Sequence, residues 1–287
     1  MMPASARTSI AVLLTCYNRK DTTLAALQRL YAQHGAGQFT VFLVDDNSPD
    51  GTASAVTAEF PQVRLLHGNG NLFWCGGMRM AFAAALAEDF DFYLWLNDDT
   101  MLADGAVSRL LDAYEKVRAG SGDAAILVGS TSDPQTNKIT YGGYVRAGRI
   151  HPFHYRLVEP GSEPKPCLTM NGNCVLIPRA VARKVENLSA EFHHSIGDID
   201  YGLRARAAGC QVWVAPGVAG ACRHNDVRGS FIDQELTLGR RWHHLLSTKG
   251  LPPREHLVFC RRHGGWLWPV FWVLPYVRII LSSLTGR

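Results

Sequence analysis

The chain predicts an α/β fold, a mostly parallel central sheet flanked by helices, and two observations predict it. Apolar runs at 9–14, 39–44, 63–66 and 94–96 each stop abruptly in a polar loop. Segments of helical character follow these loops. Within the runs the apolar residues are continuous rather than alternating, as in strands buried on both faces. Repeated strand, loop and helix units with right-handed crossovers bring all their loops to one carboxyl edge of the sheet, where ligands of open α/β sheets gather.

The elements follow in order. The first strand ends in Thr15-Cys16-Tyr17-Asn18-Arg19-Lys20, and Asp21 or Thr22 opens an amphipathic segment through Tyr31. The second ends in Asp45-Asp46-Asn47-Ser48-Pro49-Asp50-Gly51, after which Thr52 to Phe60 reads as a helix that Asp50 suits as a cap better than Asp46 does. The third ends in His67-Gly68-Asn69-Gly70-Asn71; a helix is expected from Gly77 to Glu88, with Leu72 to Arg79 as a loop whose aromatics either stack on a sugar or, in the favoured reading, pack under the fourth strand. That fourth strand, Leu94-Trp95-Leu96, breaks at Asn97-Asp98-Asp99-Thr100. Two adjacent carboxylates at the mouth of a crevice suit a divalent cation and a phosphorylated ligand, and the alternative is an acidic turn in which Asp99 or Thr100 caps the next helix. Leu168 to Pro178 is expected to be a loop feeding a strand, and Asp198 to Ala208 a helix with Asp198 in its first turn, where the helix dipole favours an anion.

Four stretches taken together, Thr15-Cys16-Tyr17-Asn18-Arg19, Val44-Asp45-Asp46-Asn47-Ser48, Asn97-Asp98-Asp99 and Gly197-Asp198-Ile199-Asp200-Tyr201-Gly202-Leu203-Arg204, carry a resemblance. In kind and order they resemble the motifs of an inverting family 2 glycosyltransferase of the Rossmann-like GT-A fold, of the bacterial surface-polysaccharide type, over roughly the first 225 residues. The resemblance implies that Thr15, Tyr17 and Arg19 line a nucleotide pocket, that Asp46 accepts a hydrogen bond from the base imide, and that Asn69 and Gly70 approach base or ribose from the other side. An acceptor-only carboxylate selects uracil or thymine over cytosine. It implies further that Asp98 meets the ribose, that Asp99 coordinates Mg²⁺ or Mn²⁺ on the donor diphosphate with His224 completing the metal shell, and that Asp198 is the base that deprotonates the acceptor hydroxyl. Asp200 is the runner-up base, Asn171 and Gly172 are candidates to face the sugar, and Arg79 is a candidate phosphate neighbour. The sequence departs from the family pattern at Gly197, where similar proteins usually carry Glu.

Composition agrees. The chain has 287 residues, enough core for one α/β unit with additions, and a formal charge of +4 without a dense basic run, so no nucleic-acid partner is expected. The basic residues Arg240, Arg241, Arg254, Arg261, Arg262 and Arg278 instead lie toward the C-terminus, among Trp266, Trp268, Trp272 and Tyr276. Residues 266–281 are the most apolar stretch, barely long enough to span a bilayer and interrupted by two prolines and an arginine. They are read as lying on the membrane surface, against the alternatives of a packed helix or an oligomer contact. Seven cysteines without Cys-x-x-Cys spacing argue against disulfides and structural zinc, and His193-His194 and His243-His244 lack a second pair at ligand spacing, leaving His193 or His194 as a candidate to shape the acceptor side of the cleft. With no secretory signal visible, the expected location is cytoplasmic, peripheral on the inner face of the cell membrane.

The expected organisation is therefore a GT-A domain over 1–230, with a nucleotide half at 1–130 and an acceptor half at 131–230, followed by a C-terminal helical, membrane-interfacial extension at 231–287. The expected activity is metal-dependent transfer of one sugar, a hexose or deoxyhexose, from a UDP- or dTDP-sugar to a glycan or polyprenyl-linked glycan acceptor, with a homo-oligomer as a further expectation. Leu238-Gly239-Arg240-Arg241-Trp242 resembles part of the Gln-x-x-Arg-Trp motif of processive synthases, but the glutamine and the channel-forming helices are missing, which favours a single addition; Arg240 or Arg241 is a candidate to reach the diphosphate. The competing readings are a sugar-1-phosphate nucleotidyltransferase, whose glycine-rich loop after the first strand is absent, and a non-catalytic nucleotide-sugar binder, which has no use for Asp198.

Overall fold

The computed structural model describes residues 8–35, 37–148 and 150–285. The chain opens with β1 (Ser9–Cys16), α1 (Lys20–Tyr31), β2 (Gln38–Asp45), α2 (Thr52–Glu59), β3 (Arg64–His67), α3 (Phe73–Leu86) and β4 (Phe92–Leu96). β1 lies parallel to β2 and β4, and β2 parallel to β3, in the spatial order β3, β2, β1, β4. Cys16 pairs with Asp45 and Asp45 with His67, so these strands end at one level and their loops share one edge. Side chains alternate across the sheet, and both faces are covered. Ile10, Val12 and Leu14 enter a core that includes Leu27, Leu30 and Leu110. Ala11, Leu13 and Trp95 enter a second with Met78, Phe82 and Tyr201. Double burial is why the strands read as unbroken apolar runs.

The chain continues through β5 (Met101–Leu102), α4 (Ala106–Ser121), β6 (Ala125–Ser132), β7 (Ile139–Tyr141), β8 (Gly143–Arg146), β9 (Tyr155–Leu157), β10 (Lys165–Cys167), β11 (Thr169–Met170) and β12 (Cys174–Pro178). Then come α5 (Arg179–Val185), α6 (Gly197–Ala207) and β13 (Gln211–Ala221). β12 inserts antiparallel between β4 and β6, and β13 runs parallel to β6. A small antiparallel sheet, β11-β8-β9, holds the segment that leads into Asn171 and Gly172.

One boundary differs from the sequence reading. Residues 73–76, expected in a loop, form the first turn of α3. The cause is remote in sequence: Asp46 Oδ2 accepts the N–H groups of Leu72 (2.9 Å) and Phe73 (3.2 Å), satisfying donors that a helix start leaves orphaned.

The C-terminal helices are α7 (Leu238–Leu246), α8 (Pro253–His263) and α9 (Trp268–Thr285). α8 docks on α6 through Asp200, whose carboxylate receives Arg262 Nη1 (2.7 Å) and His263 Nε2 (2.8 Å) while its own helix supplies Arg204 Nε (2.8 Å). α9 is fastened by Trp272 Nε1 donating to Pro253 O (3.0 Å) and Tyr276 OH to Leu251 O (3.0 Å). It is long and apolar enough to cross a membrane, and only 11% of the window Gly265–Ser282 is buried. Trp266, Val270, Val273, Val277, Ile280 and Leu281 are exposed at intervals of one helical turn, a continuous apolar stripe.

Candidate functional site

At the shared strand edge lies a cavity of about 390 Å³. The end of β1 and its loop supply Thr15, Cys16, Tyr17 and Arg19; Asp46, Gly70 and Asp98 come from the loops after β2, β3 and β4. Phe73 and Trp74 of α3 close one side, and His194 and Lys249 reach in from later segments. Six sequence-predicted residues, Thr15, Tyr17, Arg19, Asp46, Gly70 and Asp98, therefore share one wall system. Tyr17 is 52% exposed, leaving its ring face open to a planar ligand.

The loops are held in costly backbone conformations. Asn18, Asn47, Phe73 and Ile196 all have positive φ, between 54° and 61° for the first two, 53° for Phe73 and 60° for Ile196. Asn tolerates this region, whereas for Phe and Ile it is strained, and such strain persists only where surrounding contacts over-determine it. Asp46 restrains Phe73: besides Leu72 and Phe73 it accepts Gly70 N–H on Oδ1 (2.8 Å). Oδ1 retains one acceptor site.

Arg19 clamps the carboxylate pair, Nη1 to Asp98 Oδ1 (2.9 Å) and Nη2 to Asp99 Oδ2 (2.7 Å). Asp98 is buried, and its Oδ2 has no hydrogen-bond partner among the described residues. Burial pushes its pKa up to about 7, with Arg19 opposing and Asp99 adding to the rise. An orphaned buried carboxylate oxygen beside a more exposed carboxylate is a donor set that fits a hard divalent cation or ligand hydroxyls.

His224 lies on the exposed segment after β13, its ring stacked on Tyr141 at 5.2 Å and its Nδ1 3.1 Å from Asn225 O. Among the described residues no three His, Cys, Asp or Glu side chains group closely enough to hold a metal. Asn69 is exposed, outside the cavity lining, with Oδ1 accepting Asn71 N–H (2.9 Å) in an Asx turn.

Asp198 sits in the first turn of α6. Its Oδ2 accepts Gly172 N–H (2.9 Å) and its Oδ1 accepts Ile199 N–H (2.8 Å), while burial raises its pKa above the ordinary carboxylate value. Gly172 lies so close to the Trp74 ring that no Cβ fits between them. Trp74, fixed by its Nε1 donating to Asn97 Oδ1 (2.7 Å), thus lines the cavity and also abuts the residue that bonds Asp198. Asn171 Oδ1 accepts Tyr144 OH (2.7 Å) alongside.

Other candidates are placed elsewhere. Asp200 is consumed by the α6–α8 ion network, which lowers its pKa despite burial, and so it faces away from base chemistry. Arg79 Nη1 reaches Ser189 O (3.5 Å) and Phe192 O (3.4 Å), bracing a loop. Arg241 is buried on α7 with Nε donating to Phe231 O (3.1 Å). Lys249 was missed as a lining residue, the aromatics Phe73 and Trp74 were read as packing in preference to stacking on a sugar, and His194 was a candidate only for the acceptor side of the cleft; none of these sits in a motif, and only the fold brings them together.

Comparison with known proteins fits this geometry. The model of glycosyl transferase family 2 matches residues 11–185, which include both the carboxylate pair and Asp46. An N-acetylglucosaminyl-diphospho-decaprenol L-rhamnosyltransferase of Mycobacterium tuberculosis is 25% identical over 282 residues, 86% of this chain and 83% of its own length. A mannosyltransferase from Pyrobaculum calidifontis, solved with GDP-mannose and Mn²⁺, superposes with a TM-score of 0.59 at 13% identity, covering 98% of this chain and 74% of that one. Residues 1–349 of S. aureus TarS superpose with a TM-score of 0.54 at 13% identity, covering 88% and 70%. A strand-edge cavity walled by Asp46 and Asp98, on this sheet and with this match, makes the chain a glycosyltransferase of family 2 with the GT-A fold.

Proposed function

We propose that the protein is a metal-dependent inverting transferase that moves one sugar from a UDP- or dTDP-sugar to a hydroxyl of a polyprenyl-diphosphate-linked glycan at the inner face of the cell membrane. Support for the acceptor comes from the mycobacterial relative, whose name specifies a diphospho-decaprenol-linked N-acetylglucosamine. The divalent ion is supported by the Mn²⁺-containing mannosyltransferase and by the orphaned oxygen of Asp98 beside Asp99.

In this reading Thr15, Tyr17, Arg19, Asp46, Gly70 and Asp98, which line the cavity, bind the nucleotide. Asp99, with His224, holds Mg²⁺ or Mn²⁺. When bound, the ion offsets negative charge developing on the departing nucleoside diphosphate. Asp198 takes the proton of the acceptor hydroxyl as its oxygen bonds to the anomeric carbon and the bond from that carbon to the diphosphate oxygen breaks. Attack from the face opposite the leaving group inverts the anomeric centre. Two backbone N–H groups orient the Asp198 carboxylate, and burial raises its basicity toward the range useful to a general base.

The observation that carries the proposal is the link through Trp74: one ring lines the cavity of Asp46 and Asp98 and abuts Gly172, which bonds Asp198. Replacing Asp198 with Asn tests it. Transfer is expected to fall by at least a hundredfold, with UDP-induced thermal stabilisation in Mn²⁺ retained. Unchanged transfer removes Asp198 from the reaction.

A further inference from the structure

The family match ends at residue 185, yet two residues that line the donor cavity, His194 and Lys249, come from beyond it. Lys249 stands in the turn between α7 and α8. That turn is tightly specified: Gly250 N–H donates to Ser247 O (2.9 Å) and Leu251 N–H to Leu245 O (2.7 Å), and a Cβ on Gly250 would run into the carbonyl oxygens of His244 and Leu245. Ser195, next to His194, donates from Oγ to Lys249 O (3.5 Å) and so ties the two segments together.

The acids of this region are already engaged. Arg19 holds Asp98 and Asp99, and three backbone N–H groups occupy Asp46. Lys249 also borders a neighbouring cavity, whose one carboxylate among the described residues, Asp226, pairs with Arg228 (2.8 Å). Among the described residues no carboxylate forms an ion pair with Lys249, and the buried Nδ1 of His194 has no hydrogen-bond partner. Burial and the nearby charge of Lys249 both hold the His194 imidazole below its usual pKa, so the ring is neutral at physiological pH and keeps one N–H to donate.

We infer that Lys249 and His194 receive the diphosphate of the nucleotide donor, so that segments beyond the family-matched region complete the donor site. The inference rests on the donor class proposed above and adds which residues meet its phosphates. An ammonium group only donates, and it suits phosphate oxygens as a point charge. The acidic pair repels a diphosphate until a cation lies between them, whereas Lys249 attracts it from within the same cavity.

Calorimetric titration with UDP and with dTDP, in Mn²⁺, tests this. Lys249→Met, which keeps the apolar stem and removes the charge, is expected to weaken nucleotide binding about tenfold or more, and His194→Phe roughly threefold or more. Lys249→Arg is expected to retain affinity to within about threefold, and the unfolding temperature of each ligand-free variant to stay unchanged. Neither nucleotide carries a sugar, so a loss measured with them belongs to phosphate and not to a carboxylate on the transferred sugar. Wild-type affinity in Lys249→Met or in a folded His194→Phe, or an Arg variant as weak as the Met variant, overturns the inference. The Met and Arg pair decides the matter if His194→Phe fails to fold. If the wild-type protein binds neither nucleotide, the donor reading fails instead, and the two failures are told apart.

Discussion

Gly197 opens α6 where no side chain has room. A Cβ at this position would run into the Cys75 thiol, which lies against the start of α6. Gly197→Ala should cost about 1–3 kcal/mol, the usual range for overpacking, and Cys75→Gly should restore part of it; thermal denaturation of the two single variants and the double variant measures the coupling. At Asp198 the concern is protonation. The proposed transfer needs the carboxylate ionised, and burial lifts its pKa above the ordinary 3.8. Activity should therefore be lost as pH falls through that raised value, so the acid limb of kcat/KM should bend above 3.8. These residues were legible because their motifs are local. Lys249 was not, since a lysine between two helices announces nothing until the chain folds around it.

The strands were read correctly because each unbroken apolar run reflects burial on both faces, which the sequence records directly. The start of α3 was missed because its restraint, Asp46, lies 26 residues before Leu72. The docking of α8 is likewise invisible in sequence, since Arg262 and His263 meet Asp200 across 62 and 63 residues. That network makes a definite prediction. Asp200→Ala leaves cationic partners around a void and should cost about 3–5 kcal/mol, measured by urea denaturation at neutral pH. Because the folded-state pKa of Asp200 is depressed, its stabilisation is present above the unfolded-state value of about 3.8 and is lost as pH falls through the lower folded value. The difference between wild type and variant should therefore shrink in acid.

At the scale of the whole molecule, the apolar stripe on α9 is surface that the packed core leaves uncovered. Its residues recur at helical spacing, and arginines stand near it, a pattern suited to an anionic lipid surface. Replacing Val273 and Val277 together by Glu should abolish co-sedimentation with vesicles of anionic phospholipid while leaving UDP-induced thermal stabilisation intact; persistent sedimentation would place the contact elsewhere. Membership of a glycosyltransferase family sets aside the nucleotidyltransferase and inert-binder alternatives, which the residue pattern alone had kept open.

The fastening of Tyr276 to Leu251 places the tail two positions from Lys249, whose side chain helps wall the donor cavity. Clipping off the final helix would therefore do more than remove its outward stripe, because it would also slacken the strap that carries this lysine. A shortened chain that turns over poorly says nothing, by that fact alone, about anchorage; only point changes confined to the outward stripe keep the two effects apart.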